Sequence, residues 1–118
     1  RADGSVALLG RGSQCINTGG EKVYPEEVEE TMKTHSAVAD CAVVGVPDER
    51  FGQAICAIVE LFDSSVNDDE LVDHVRAKIA RYKAPKHVIR VESVGRAVNG
   101  KLDYKTLTAM ALDTVTNG

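Results

Sequence analysis

Two apolar runs constrain this chain more than anything else in it. "VADCAVVGVP" occupies residues 38–47 and "AICAIVELF" residues 54–62. Both are dense in β-branched residues, and both are too short for a buried helix of ordinary length. Runs of this kind read as buried strands. The first ends at Gly-Val-Pro. The polar stretch "DERFGQ" separates the two runs. They are expected to be antiparallel neighbours, with a connection long enough to carry function.

A core strand pair needs cover, and the flanking sequence supplies helices. "PEEVEETMKTH" has Pro25 suited to the first helical position, Glu26 and Glu27 suited to the positive end of the dipole, and Val28 and Met32 one turn apart. "NDDELVDHVRAKIA" offers Asn67 as N-cap and Glu70 three residues on as a capping box. Leu71, Val72, Val75 and Ile79 then form its apolar face. Pro85 ends this helical region, and "HVIRVES" reads as a third strand. "LDYKTLTAMAL" predicts a last helix capped by Asp103, with Leu107, Met110 and Ala111 inward; the tail "DTVTNG" is expected to fray. Near the start, "SVALL" and "SQCIN" predict a short hairpin, followed by a glycine loop, "TGGEKVYP". The expected fold is α+β: a small, mostly antiparallel sheet of about three strands with helices packed on it, preceded by an N-terminal β-hairpin.

At 118 residues the chain suits one domain. Its net charge of −4 argues against a general nucleic-acid partner, which needs clustered cations. One stretch is locally basic, "RAKIARYKAPKHVIR" at 76–90. Cys15, Cys41 and Cys56 are odd in number, widely spaced and set in apolar runs, which favours free thiols in a reducing compartment. The histidines share no ligand spacing with them, so no metal site is expected. No signal peptide and no apolar run of transmembrane length is seen, and a cytoplasmic location is expected. The opening "RADGSVALLGRG" lacks an initiator Met and reads as the middle of a longer chain.

No nucleophile elbow, Walker loop or ligand cluster announces an activity. Two glycine-tied segments are the candidates, "GRGSQCINTGGEKVYPEEVE" and "GRAVNGKLDYKTL". The second holds out Lys101 after Gly100. Taken alone, such a lysine is usually a solvated one at a helix start.

Four motifs in order carry a resemblance. The first segment resembles a Gly-Arg hinge motif running through a glycine loop into a Tyr-Pro-x-Glu-Val-Glu helix. "VVGVPDERFGQ", "ARYKAPKHV" and "NGKLDYKTL" resemble three later motifs of the same family. The chain is similar to the C-terminal subdomain of adenylate-forming enzymes, most closely acyl-CoA synthetases. The resemblance implies residues 1–13 as a hairpin and hinge segment beside a larger N-terminal domain, and 14–118 as a mobile lid. It implies a ligase that uses ATP with Mg2+ to form an acyl-adenylate, then transfers the acyl group to coenzyme A. Lys101 is implied as the catalytic cation of the first step and Arg11 as a nucleotide contact. Ser13 falls at the hinge position, where the family more often has Asp or Lys. Gly19, Gly20 and Glu21 are implied at the pantetheine path, with Tyr82, Lys83 and Lys86 near the nucleotide end of coenzyme A. "NGKLDYKTL" is also similar to the ending of adenylation domains that load carrier proteins, so that acceptor stays open. A third possibility is a binding or regulatory module that kept the fold without the reaction.

Overall fold

The computed structural model describes residues 15–117. The two apolar runs form β3, Val38–Asp48, and β4, Gly52–Leu61, after a short hairpin of β1, Ile16–Thr18, and β2, Glu21–Val23. Helix α1 spans Pro25–Lys33 and α2 Asp68–Lys78. A single 3-10 turn, Arg81–Lys83, leads to β5, His87–Val91, and helix α3 spans Tyr104–Asn117.

β3 and β4 pair antiparallel from Val38↔Leu61 to Asp48↔Gly52, as expected. β5 runs parallel to β4, from Cys56↔His87 to Glu60↔Val91. α2 serves as the crossover that a parallel pair requires. β1 reaches the sheet by pairing Thr18 with Gly52. The three expected strands and the hairpin thus make one five-stranded sheet, with β3 at an open edge.

The continuous apolar character of β3 and β4 has a simple cause: both faces are covered. Cys41, Val43, Ile55, Ala57 and Val59 point to one side and meet Val28 and Met32 of α1 and Leu71 and Val75 of α2. Ala42, Val44, Val46, Ala54, Cys56 and Ile58 point to the other and meet Leu107 and Ala111 of α3. The period of two in a strand sorts the same run into two cores. It also puts Cys41 and Cys56 on opposite faces, and the three cysteines are free.

Four expectations are corrected. The glycine loop is the hairpin turn: Gly19 and Gly20 take φ of 59° and 87°, and Glu21–Val23 is a strand. Of the expected hairpin strands, residues 5–9 lie outside the described residues, and the second contributes Ile16 and Asn17 to β1. The β3–β4 connection is short, with only residues 49–51 between the strands. Asp48 Oδ1 accepts from the backbone N–H of Arg50 at 2.8 Å and of Phe51 at 2.9 Å, and Gly52 takes φ of 85°, so the turn closes tightly. The tail does not fray early, since α3 continues to Asn117. Finally, Asn67 caps α2 by accepting from Glu70 N–H at 2.8 Å, but the Glu70 carboxylate reaches His35 Nε2 at 2.8 Å, making a helix–helix tie in place of the reciprocal cap bond.

Candidate functional site

The described residues named by the motifs fall in two places. The first is a cavity of about 550 Å³ between the hairpin turn, the β3–β4 turn and the 3-10 turn. Gly19, Glu21, Tyr82 and Lys86 line it, together with Phe51, Arg76 and Arg81. Pro85 also lines it, and the next residue, Lys86, donates its N–H to Ile55 O at 2.8 Å as the chain continues into β5. The Lys86 ammonium pairs with Asp48 at 2.7 Å and stands 5.5 Å from the Phe51 ring centroid. Lys86 and two backbone N–H groups together hold the Asp48 carboxyl at about 2. The hairpin is pinned here too, since Gly19 N–H donates to Phe51 O at 2.9 Å.

Two expected members of this group stand apart. Gly20 is exposed in the turn and does not line the cavity. Lys83 turns to α1, where its ammonium meets Glu27 at 2.8 Å, and that bond raises its pKa. Arg76, Arg81 and Phe51 were not singled out from the sequence. Both arginines lie in the basic stretch, so the signal was present as charge density without a means of choosing among cations. Arg76 is paired with Asp73 at 3.0 Å, whereas Arg81 makes no ion pair among the described residues. The cavity therefore offers an aromatic ring, an uncommitted guanidinium and glycine backbone, a surface suited to a phosphorylated nucleotide.

The second place is the loop between β5 and α3. Lys101 is exposed, lines neither large cavity and makes no ion pair among the described residues. Gly100 before it takes φ of 84°, a conformation that favours glycine. Ala97 N–H donates to Lys101 O at 2.9 Å and Gly100 N–H to Ala97 O at 2.8 Å, so the loop closes on itself. Leu102 is buried in the α3-side core and anchors the lysine's far side. Asp103 caps α3, accepting from Thr106 N–H at 3.1 Å. Arg11 and Ser13 lie outside the described residues.

Comparison with known proteins identifies the domain's family. The model of the AMP-binding enzyme C-terminal domain family matches residues 27–101. The chain belongs to this family. A 3-oxocholest-4-en-26-oate–CoA ligase of Rhodococcus rhodochrous is 56% identical over 105 residues, covering 88% of this chain and 19% of that protein. A medium-chain acyl-CoA ligase of Mycobacterium avium is 45% identical over 113 residues, covering 95% of this chain and 20% of that one. The solved structure of a Mycobacterium tuberculosis fatty acyl CoA synthetase superposes with a TM-score of 0.79 at 36% identity, over 85% of this chain and 20% of that one. This AMP-binding C-terminal domain thus spans about a fifth of the length of the curated relatives it matches.

Among the described residues no cluster of His, Cys, Asp or Glu could hold a metal ion. The Mg2+ that would accompany ATP finds no ligand set among them. No helix among the described residues is long and apolar enough to cross a membrane.

Proposed function

We propose that residues 14–118 are the mobile lid of an ATP-dependent acyl-CoA synthetase, with residues 1–13 as its junction to a larger N-terminal domain. The observation that carries this reading is the separation of the two sites. Lys101 stands on a glycine loop tied to the α3 side of the sheet, while the cavity with Tyr82, Lys86 and Arg81 lies at the β3–β4 turn. One small domain then presents two chemically different surfaces, which suits a lid that turns between half-reactions.

In the first half-reaction a carboxylate oxygen attacks the α-phosphorus of ATP and pyrophosphate leaves. Lys101 supplies an ammonium where charge gathers on the carboxylate and α-phosphate oxygens. Arg11 contacts the nucleotide and Ser13 takes the backbone rotation between states. In the second, the sulfur of coenzyme A attacks the acyl carbon and AMP leaves. The Gly19-Gly20 turn and Glu21 border the pantetheine path, where a side chain on Gly19, which lines the cavity, would obstruct the thiol. Tyr82, Lys86 and Arg81 face the nucleotide end, and Lys83 acts through its tie to α1. The relatives' names favour a fatty or steroid-derived acid as substrate. Free, buried Cys41 and Cys56 suit a cytoplasmic enzyme.

The test is made on the full-length protein bearing this domain, with dodecanoate and dodecanoyl-adenylate as probes. Lys101→Ala should lower acid-dependent pyrophosphate release by about 10²–10³-fold and largely keep thioester formation from the adenylate. Equal loss in both halves, or none, refutes the assignment. Transfer to a carrier protein's pantetheine but not to free coenzyme A would favour the carrier-loading reading.

A further inference from the structure

We propose that Arg96 is the positioning residue for Lys101, lashing the lysine loop to the open edge of β3; the catalytic consequence of this rests on the reading of Lys101 above. The chain of contacts is continuous. Arg96 Nε meets Asp40 Oδ2 at 2.6 Å and its Nη2 meets Asp40 Oδ1 at 2.9 Å, a two-pronged pair with a carboxylate on β3. The remaining nitrogen, Nη1, donates to Gly100 O at 2.7 Å. Gly100 is the residue before Lys101. One rigid planar fork thus joins a core strand to the peptide that carries the lysine.

The pair is well placed to resist solvent. The Arg96 and Asp40 side chains are 31% and 17% exposed, and β3 beneath them belongs to the core. Asp40 Oδ1 also accepts from Cys41 N–H at 2.8 Å, which fixes the carboxylate against its own strand. Burial alone would push the Asp40 carboxyl up, but the Arg96 guanidinium, the Cys41 N–H and Lys33 together outweigh it and the net shift is downward. The loop's other end is held at the same edge. Tyr104, three residues past Lys101, donates from its hydroxyl to Glu29 Oε2 at 2.7 Å, and Glu29 Oε2 accepts Val43 N–H at 2.9 Å. The Lys101 ammonium has no such partner among the described residues, so its place is set by the peptide on which it stands. Gly100 by itself would let that peptide rotate; the Arg96 contact to its carbonyl removes the freedom.

Two measurements test this. Amide hydrogen exchange on this chain reads the loop directly. Arg96→Ala should speed exchange at Ala97 and Gly100 by 10-fold or more, with α2 and β4 amides unchanged. Arg96→Lys, which keeps the charge but not the fork, should fall between. Asp40→Ala should mimic Arg96→Ala, and the double variant should be little worse than either. In the full-length protein, with dodecanoate as probe, Arg96→Ala should lower kcat for pyrophosphate release by about 10²-fold with little change in KM for ATP, the effect expected of a small misplacement of a catalytic group. Thioester formation from dodecanoyl-adenylate should be kept. Unchanged exchange at Ala97 and Gly100, or exchange raised throughout the domain, overturns the inference, as does full rescue by lysine. Fast loop exchange with pyrophosphate release intact in both Arg96→Ala and Lys101→Ala supports the tether and instead refutes the catalytic role of Lys101.

Discussion

Glu29 shows what a single buried carboxylate does in this domain. It is 4% exposed, on a helix whose sequence offers the neighbouring Glu26 and Glu27 only as dipole partners. β3 is an edge strand, and an edge leaves outward N–H groups without a ladder partner. Glu29 takes the one at Val43, and both its oxygens accept from the Tyr104 hydroxyl, at 3.0 and 2.7 Å. Burial raises the Glu29 carboxyl above its ordinary value, and these hydrogen bonds pull only partly against it. Glu29→Ala should therefore lower stability by about 2–4 kcal/mol, because the buried Val43 N–H and the half-buried Tyr104 hydroxyl both lose their acceptor. Glu29→Gln separates charge from hydrogen bonding. A carboxyl whose pKa rises on folding contributes stability that is fully present below its unfolded value near 4.5 and is lost as pH climbs through the folded one. Urea unfolding of both proteins should show the glutamine variant gaining on the wild type between pH 4 and pH 7. A constant difference would mean that the Glu29 pKa does not change on folding. None of this was legible in the sequence, because "PEEVEE" contains four glutamates and periodicity does not say which one crosses to an open strand edge.

Elements were more legible than their junctions. The strands β3 and β4 and the helices α1 and α2 followed from β-branched density, capping residues and apolar spacing, which act within a few residues. The β1–β2 hairpin did not, because three-residue strands have no periodicity to read. Its docking depends on a contact that no local pattern encodes. Ile16 stands over Gly45 in β3, where an added Cβ would lie 3.2 Å from the Ile16 side chain and 2.9 Å from the Gln53 amide nitrogen. Gln53 in turn accepts Asn17 N–H at 2.8 Å through its Oε1. Gly45→Ala should thus displace the hairpin and cost about 1–3 kcal/mol by overpacking. Protease nicking near the Gly19-Gly20 turn should rise with it. If the hairpin stays protected, Gln53 alone has moved and Ile16 is not the constraint.

The molecule as a whole keeps its two candidate surfaces apart, and the sequence could name their motifs without showing that division. Alternation along β3 and β4 makes two cores; the lysine loop is rooted in the one under α3, and the residues before β5 in the one under α1 and α2. Arg81 belongs to the second surface, and no spacing rule selects it from the neighbouring cations. It is the lining cation without an ion pair among the described residues, since Lys86 is engaged by Asp48 and Arg76 by Asp73. An uncommitted guanidinium beside Tyr82 should contribute a charge-assisted hydrogen bond to a phosphate of coenzyme A, worth about 1.5–3 kcal/mol. In the full-length protein, Arg81→Ala should accordingly raise KM for coenzyme A on the order of 10-fold or more, since 1.4 kcal/mol is about one decade. Pyrophosphate release should be unaffected, the converse of Lys101→Ala. Because Arg81 is exposed, raising salt should shrink the gap between variant and wild type. A loss of pyrophosphate release in Arg81→Ala would place both surfaces in the same half-reaction and remove the reason for a turning lid.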